Sequence, residues 1–277
     1  MEPIDQIIEK LRSWREDCVR DPEGLREYWP RIGEIERQLS IEEKWTVIEQ
    51  FCMAGIDLHD EEIIEACLVR LNKQFPKSKR VKLLNIMALC ECPGDYDEAI
   101  NRYNEMIEED ETNAGARKRK IAVLISQKKN IDAIKELCDY LKIFMNDHES
   151  WKELCELYML EQDYNKAIFC MEELLLSHPL SHIYHTRLAE MYYTLGTHES
   201  LEQARSYYSQ ALKLNESNVK ALHGLHLALK RLLGGNKLTA QQRKDYEKLD
   251  AWSINAVNNI YDKEGDPNVA KFMKISP

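Results

Sequence analysis

Apolar residues recur at helical spacing over residues 148–181, and this pattern predicts two packed helices. In the first half of the segment they fall at positions 4, 7, 8 and 11, which share one face of a helix. In the second half, positions 20, 24 and 27 do the same, and a proline at position 32 ends the helix because it has no amide hydrogen to donate. The residues are Trp151, Leu154, Cys155, Tyr158, Ala167, Met171, Leu174 and Pro179.

The small residue at position 20 distinguishes this pattern from that of an ordinary helical hairpin. Any two packed helices show apolar spacing, but Ala167 also lets the two backbones approach closely. Together with the proline, the spacing is that of a tetratricopeptide repeat (TPR), whose period is about 34 residues. Residues 95–100 (Asp-Tyr-Asp-Glu-Ala-Ile) are echoed two periods later by residues 163–168. We expect Asp95 and Asp163 to cap the helices that follow them.

The pattern covers most of the chain and predicts an all-α, TPR-type helix–turn–helix solenoid with atypical helical caps at both ends. It places an N-terminal helical cap at 1–44, about five and a half repeats at 45–238, and a C-terminal capping helix with a polar tail at 239–277. End caps are expected because the last repeats must face water. A free N-terminal recognition helix is the alternative for the first segment. Trp151 is expected in the core, where truncation to alanine would cost about 3–5 kcal/mol.

Composition and charge narrow the classes of partner. The chain has 48 acidic and 38 basic residues and a formal net charge of −10, which repels phosphate backbones and argues against nucleic acid as the main partner. The start has no signal-peptide pattern, and no apolar stretch is long enough to span a bilayer. We therefore expect a cytosolic chain whose contact with membranes runs through partners. The eight cysteines form no C-x-x-C pair and are expected to be reduced thiols.

The candidate binding surface is the groove that first helices line in a TPR array, at positions 2, 5, 9 and 12 of each repeat. Its mixture of lysine, glutamate and apolar side chains suits an extended peptide or protein segment, although a merely solvated face is the alternative. The candidate partner-binding residues are Lys118, Lys152, Glu156, Met159, Glu190, Tyr193, Lys220 and His223.

One known ligand class is excluded by this set. TPR domains that bind the C-terminal carboxylate of chaperones carry lysine at position 5 and asparagine at position 9 of one first helix. Here Lys152 is followed by Glu156, whose charge would repel a carboxylate. A chaperone-tail adaptor is therefore not expected.

The densest basic run is residues 117–120 (Arg-Lys-Arg-Lys), in the most divergent repeat. Four consecutive helical residues point in different directions, so the run does not form one flat patch. The acidic run at residues 108–111 is the expected intramolecular counterweight. Contact with an anionic lipid or an acidic partner is the alternative.

Catalytic and metal-binding patterns are weak. His178, His182 and His185 cluster near Cys170, but His185 occupies a core position of its repeat and four converging ligands are not evident. The chain has no glycine-rich phosphate loop, no Gly-x-Ser-x-Gly and no His-Glu-x-x-His. We expect no metal, no cofactor and no catalysis by this chain alone.

Several motifs resemble the family of TPR subunits, subunit two, of the endoplasmic reticulum membrane protein complex. The resemblance covers roughly residues 60–260, and the Ala-Arg-Lys-Arg-Lys run at 116–120 is not generic TPR sequence. The motifs lie at residues 80–82, 95–100, 112–114, 116–122, 151–158, 163–167 and 211–215.

The resemblance implies a non-catalytic scaffold on the cytosolic face of that complex. In this family the solenoid holds cytosolic segments of membrane-embedded subunits and pairs with a soluble subunit, and the assembly inserts transmembrane segments, including tail anchors. Two alternatives remain from other classes: a general TPR peptide-binding adaptor, and a helical-repeat subunit of a heteromeric enzyme such as the protein prenyltransferases.

Overall fold

The computed structural model describes residues 2–264 of the chain, and within that range all regular structure is helical. It divides into an N-terminal unit, Met1–Lys129, and a C-terminal unit, Asn130–Pro277. The division falls between the two helices of the third predicted repeat. The boundaries after residues 44 and 238 stay predictions.

In the described part of the N-terminal unit, residues 2–129, there are eight α-helices, a 3-10 turn and a π-helical turn. The turns are Trp29–Arg31, which contains Pro30, and Met87–Glu91, which continues the helix before it. The helices are α1 (Ile4–Glu16), α2 (Pro22–Tyr28), α3 (Ile32–Gln38), α4 (Ile41–Leu58), α5 (Glu61–Gln74), α6 (Lys79–Ile86), α7 (Tyr96–Glu109) and α8 (Ala114–Ser126).

Between residues 130 and 264 the C-terminal unit contains seven helices, and consecutive ones from α10 to α15 pack on each other. They are α9 (Asn130–Ile143), α10 (His148–Leu160), α11 (Tyr164–Ser177), α12 (His182–Leu195), α13 (His198–Leu214), α14 (Val219–Leu233) and α15 (Ala240–Glu264). The terminal helix predicted from residue 239 is thus present, and the polar tail beyond residue 264 lies outside the described residues.

Short polar side chains begin most of the repeat helices. Asp95 Oδ1 accepts from the amide of Glu98 at 3.3 Å, and Asp163 Oδ1 accepts from that of Lys166 at 3.4 Å, which confirms both predicted caps. Each cap satisfies one amide that the first helical turn leaves without an internal acceptor. Asn113, Asp147, Ser181, Thr197 and Asn218 act in the same way.

The predicted alanine positions of the second helices are confirmed as points of close packing. Four alanines there are fully buried, which is consistent with helices whose backbones approach too closely for a larger side chain. In the first repeat the position holds Ile64 instead, and α4 compensates with a glycine. A Cβ at Gly55 would lie 3.1 Å from Ile64 Cγ1, so the missing side chain makes room for the isoleucine. The alanines are Ala99, Ala133, Ala167 and Ala204.

One sequence expectation and one alternative interpretation are wrong. Trp151 is half-buried rather than in the core: its indole Nε1 donates to the carbonyl of Met145 at 2.8 Å, and its ring meets Phe169 edge-on at 6.2 Å. The large indole with its polar N–H is accommodated at the turn before α10, where a carbonyl is available. The free N-terminal helix is also wrong, because α1 buries Ile7 and Leu11 and its arginines bind Glu43 of α4.

Candidate functional site

Seven of the eight predicted binding residues lie on first helices of the C-terminal unit. Lys152, Glu156 and Met159 are on α10, while Glu190 and Tyr193 are on α12. Lys220 and His223 are on α14, and the remaining residue, Lys118, is exposed on α8 of the N-terminal unit. We call the surface formed by α10, α12 and α14 the first-helix surface.

An ion pair on the first-helix surface joins α12 to α14. Lys220 Nζ lies 2.6 Å from Glu190 Oε1, and Arg187 Nη1 lies 3.5 Å from the other oxygen of the same carboxylate. Glu190 therefore receives two cations, although the lysine side chain is largely exposed. The pair contributes little to stability at such exposure, but it sets two opposite charges side by side on a surface that a partner can reach.

Tyr193 is contacted by Arg231, which is not among the predicted binding residues. The guanidinium carbon of Arg231 lies 4.9 Å from the tyrosine ring centroid, and Arg231 Nη1 donates to the Tyr193 carbonyl at 3.2 Å. A stacked arginine and tyrosine form a flat, amphipathic element suited to protein contacts. Arg231 is 38 residues from Tyr193, so no local spacing rule selects it.

The α10 part of the surface centres on Lys152. Its Nζ lies 2.8 Å from Glu149 Oε1 and 5.9 Å from the ring centroid of Tyr184 on α12. Hydrogen bonding to Glu149 raises the pKa of Lys152. Glu156 is exposed and Met159 half-buried on the same helix; within the described residues neither side chain forms a hydrogen bond or ion pair.

The terminal helix α15 reaches the surface at His223. His223 Nε2 and Tyr261 Oη are 3.4 Å apart, and the two rings lie 6.2 Å apart. Burial, aided by the neighbouring His226, lowers the pKa of His223. His226 in turn binds Asp250 of α15, with Nδ1 and Oδ1 at 2.6 Å. His223 is therefore engaged within the chain, which narrows the part of the predicted surface open to a partner.

A partly buried side-chain amide, that of Asn218, links α12 to α14. Asn218 Nδ2 donates to Thr186 Oγ1 at 2.9 Å and lies 3.1 Å from His182 Nδ1. Thr186 stands at a position that lines the groove in other TPR repeats, but here it is buried. Two first helices are thus joined at their N-terminal ends, beside the Glu190–Lys220 pair.

Arg119 of the basic run does not pair with the acidic run as expected. Arg119 binds Glu91 of the π-helical turn, which also accepts from the hydroxyl of Tyr103 on α7. Two carboxylates of the acidic run bind lysines of α6: Asp110 binds Lys79 and Glu109 binds Lys82. Arg117 does meet the acidic run, where its Nε donates to the Glu111 carbonyl at 2.9 Å.

The ion pair between Arg119 and Glu91 belongs to the packing of the N-terminal unit, so Arg119 is not part of a free basic patch. Tyr103 is fully buried, and burial with the hydrogen bond to Glu91 raises its pKa. A buried carboxylate requires a partner, and Arg119 supplies it because its helical turn faces the π-helical segment. The divergent run therefore contains one residue that is part of the packing between α7, α8 and the π-helical turn.

The histidines and cysteines have separate roles. His185 is buried, as expected of a core histidine, and its Nε2 donates a hydrogen bond to the Pro179 carbonyl at 3.0 Å. His178 packs edge-on against His148. Among residues 2–264, no three His, Cys, Asp or Glu side chains converge as a metal site requires. Burial raises the pKa of the Cys52, Cys67 and Cys170 thiols to about 12, so these cysteines are poor nucleophiles.

None of the helices in the described part of the chain has the length and hydropathy of a membrane span.

Solved structures with a similar arrangement of helices share little sequence with the chain. The crystal structure of the MamA protein matches with a TM-score of 0.47 and 15% identity, covering 66% of this chain and 93% of that one. The crystal structure of YrrB, described as a TPR protein with an unusual peptide-binding site, matches with a TM-score of 0.49 and 11% identity, over 74% and 96%.

Sequence relatives are much closer. The ER membrane protein complex subunit 2 of Xenopus tropicalis is 39% identical over 261 residues, which are 94% of this chain and 88% of the relative. The subunit of the same name from Dictyostelium discoideum is 30% identical over 211 residues, 76% of this chain and 65% of the relative. The family model of the EMC2 TPR-like repeat domain matches residues 69–207. The predicted TPR-type fold is confirmed, and the chain belongs to the family of ER membrane protein complex subunit 2.

Proposed function

We propose that the chain is a non-catalytic scaffold subunit of the endoplasmic reticulum membrane protein complex. The observation that carries this proposal is the similarity to subunit 2 proteins over 94% of the chain. Similarity of that extent includes helices of both units. The aligned region therefore includes the surfaces through which such helices could bind other subunits. The helical repeats supply binding area rather than a catalytic constellation.

The scaffold lies on the cytoplasmic face of the membrane as a peripheral protein. It organises membrane-embedded and soluble subunits of an insertase for transmembrane segments and tail-anchored proteins. Membrane contact is indirect, through those partners, and the net charge of −10 argues against nucleic acid. The function requires no metal and no cofactor.

The first-helix surface is the proposed partner-binding site. The Glu190–Lys220 pair, the Arg231–Tyr193 stack and Lys152 beside Tyr184 alternate charge with aromatic area. Aromatic and arginine side chains are enriched among the residues that dominate binding energy at protein interfaces. An extended segment of another subunit with charges of both signs fits this alternation.

Membrane fractionation with mild-detergent purification tests the scaffold role. The expected result is a chain that sediments with microsomes, is released at alkaline pH, and co-purifies with integral membrane proteins from detergent extracts. A chain free in the soluble fraction, without integral membrane partners, would overturn the proposal.

A charge reversal tests the surface itself. Lys220→Glu places two carboxylates side by side with Glu190, and we expect recovery of co-purified membrane subunits to fall about fivefold or more, since like charges at an interface are strongly unfavourable. Lys244→Glu, on the exposed face of α15, makes the same change of charge and should leave recovery unchanged. Equal recovery with both variants would remove Lys220 from the site.

A general peptide-binding adaptor is the alternative, because the first-helix surface has the mixture of charge and aromatic area that extended peptides bind. The adaptor predicts that the isolated chain binds a discrete peptide without other subunits. Mass spectrometry of the purified assembly distinguishes the two: a fixed set of membrane subunits supports the scaffold, and a changing set of soluble clients supports the adaptor.

A further inference from the structure

Exposed apolar side chains continue across the second-helix side of the C-terminal unit. Phe169 on α11 is 54% exposed, Leu176 on the same helix is 77% exposed, and Met145 before α10 is 70% exposed. Scattered apolar residues on a surface are ordinary, but neighbouring ones that line grooves indicate an interaction site.

Two grooves meet at Phe169. The first, of about 470 Å³, lies between α9, α10 and α11 and includes Met145, Trp151 and Tyr158 in its lining. The second, of about 560 Å³, is bounded by α11 and α13 and includes Leu176, Pro179 and Tyr207. Phe169 lines both, so its ring separates two adjacent apolar depressions. We call the two grooves with Phe169 and Leu176 the outer apolar strip.

The charges at the strip select the kind of partner. Lys142 and Lys166 line the first groove, but each forms an ion pair. Lys142 binds Asp139 of the same helix at 2.6 Å, and Lys166 binds Asp163, the N-cap of its helix, at 2.7 Å. In the second groove, Glu172 accepts from the Tyr192 hydroxyl at 2.9 Å, and no cation among the described residues pairs with Glu172 or Glu173. The first groove is therefore nearly neutral, and the second has two carboxylates without counter-ions.

A buried acceptor adjoins the same groove. His185 lines the second groove, its Nε2 is engaged by the Pro179 carbonyl, and its Nδ1 is buried with no hydrogen-bond partner within residues 2–264. An unpaired buried polar atom is unfavourable. Apolar depressions, unpaired carboxylates and an unsatisfied acceptor thus occur together.

We propose that the outer apolar strip binds an amphipathic helix of a partner protein. Large apolar side chains of that helix enter the two grooves on either side of Phe169, and lysine or arginine side chains on its flank meet Glu172 and Glu173. A helix of four turns is about 22 Å long, and helices of this kind bind apolar grooves through residues spaced three to four apart. The site is distinct from the first-helix surface, so the proposal does not depend on the proposed function.

The test uses the full chain and a synthetic peptide. The probe is a fluorescein-labelled 18-residue helix with a leucine face and lysines on its flanks, and its binding is followed by fluorescence anisotropy at two salt concentrations. We expect saturable binding that weakens about tenfold with Phe169→Glu, since a charge would replace the central apolar contact. Glu173→Lys should weaken binding about fivefold and reduce its salt dependence.

The control is Ile183→Glu, which alters a residue 59% exposed on α12, outside the strip, and should leave binding unchanged. Near-ultraviolet circular dichroism of each variant establishes that the fold is retained. Absence of saturable binding, or equal affinity for the wild type and Phe169→Glu, would overturn the proposal. Equally tight binding of a peptide with glutamates in place of its lysines would overturn the assigned chemistry. A homodimer that Phe169→Glu dissociates would show that the occupant is a second copy of the chain.

Discussion

Glu36 is a mostly buried carboxylate held by two cations of the N-terminal unit. Its Oε2 lies 2.5 Å from Arg70 Nη2 and 3.1 Å from Lys44 Nζ. Burial raises the pKa of Glu36, but the hydrogen bonds from Arg70 and Lys44 outweigh it, and the pKa is lowered overall. The group therefore binds a proton less readily in the folded chain than in the unfolded one.

This shift predicts a loss of stability in acid. A carboxylate with a lowered folded pKa stabilises the fold above its unfolded pKa, near 4.5, and the contribution is lost as pH falls through the folded value. We expect urea unfolding at pH 7 and pH 3.5 to show a smaller difference in stability for Glu36→Gln than for the wild type. Glu34→Gln, on the exposed face of the same helix, is the control. An unchanged difference in the Glu36 variant would refute the assignment.

Trp151 and Leu154, an aromatic and an aliphatic residue on α10, allow a direct comparison of what each contributes to stability. Leu154 is only 3% exposed, whereas the indole of Trp151 is half-buried and hydrogen-bonded at its rim. We expect Trp151→Ala to lower the free energy of unfolding by about 1–2 kcal/mol and Leu154→Ala by about 2–5 kcal/mol. Chemical denaturation measures both, and a larger loss for the tryptophan variant would mean that Trp151 belongs to the core after all.

At the scale of elements, the packing of α13 on α14 depends on a glycine. A Cβ at Gly224 of α14 would lie 2.7 Å from Tyr208 Oη, and Tyr208 is itself buried. Because the ring cannot move away freely, the helices would have to separate or shift.

We therefore expect Gly224→Ala to lower stability by about 1–3 kcal/mol, despite the better helix propensity of alanine. Gly33→Ala is the matched control, since a Cβ at Gly33 of α3 would meet nothing within 4 Å. That variant should be neutral or stabilised by up to about 1 kcal/mol. Thermal unfolding followed by circular dichroism compares them, and a Gly224 variant as stable as the wild type would contradict the close approach.

The contact between Arg119 and Glu91 predicts strong coupling between α8 and the π-helical turn. Arg119→Leu leaves the Glu91 carboxylate, only 12% exposed, without its cation, so we expect a loss of about 3 kcal/mol. Glu91→Gln in the Arg119→Leu background should recover part of that loss, because the uncompensated charge is removed. A double-mutant cycle from urea unfolding gives the coupling free energy, and strict additivity would show that the two residues act independently.

At the scale of the whole molecule, much of the fold follows from local pattern. The helices, the alanine crossings and the caps at Asp95 and Asp163 depend on residues three to four positions apart, which sequence spacing displays directly. The family follows in turn from motifs that recur at the repeat period and is shown by the relatives.

The candidate site was predicted less completely. Spacing selected Glu190 and Lys220, which the fold does bring together, but it did not select Arg231, and it gave no sign that Tyr261 engages His223. The spacing of apolar residues does not predict the π-helical turn at Met87–Glu91. Its residues at the predicted core positions, Met87 and Cys90, are buried as they would be in an α-helix.

The sequence by itself determined an acidic, all-helical repeat chain, because helix periodicity, capping and net charge are local or additive properties. The tertiary structure alone decided which charges are paired, which aromatic side chains are covered, and where grooves remain. Arg119 and Glu91 are 28 residues apart, and Tyr193 and Arg231 are 38 apart. Such contacts depend on the distance and rotation between neighbouring helices, and those are set by packing rather than by the spacing of residues along one helix.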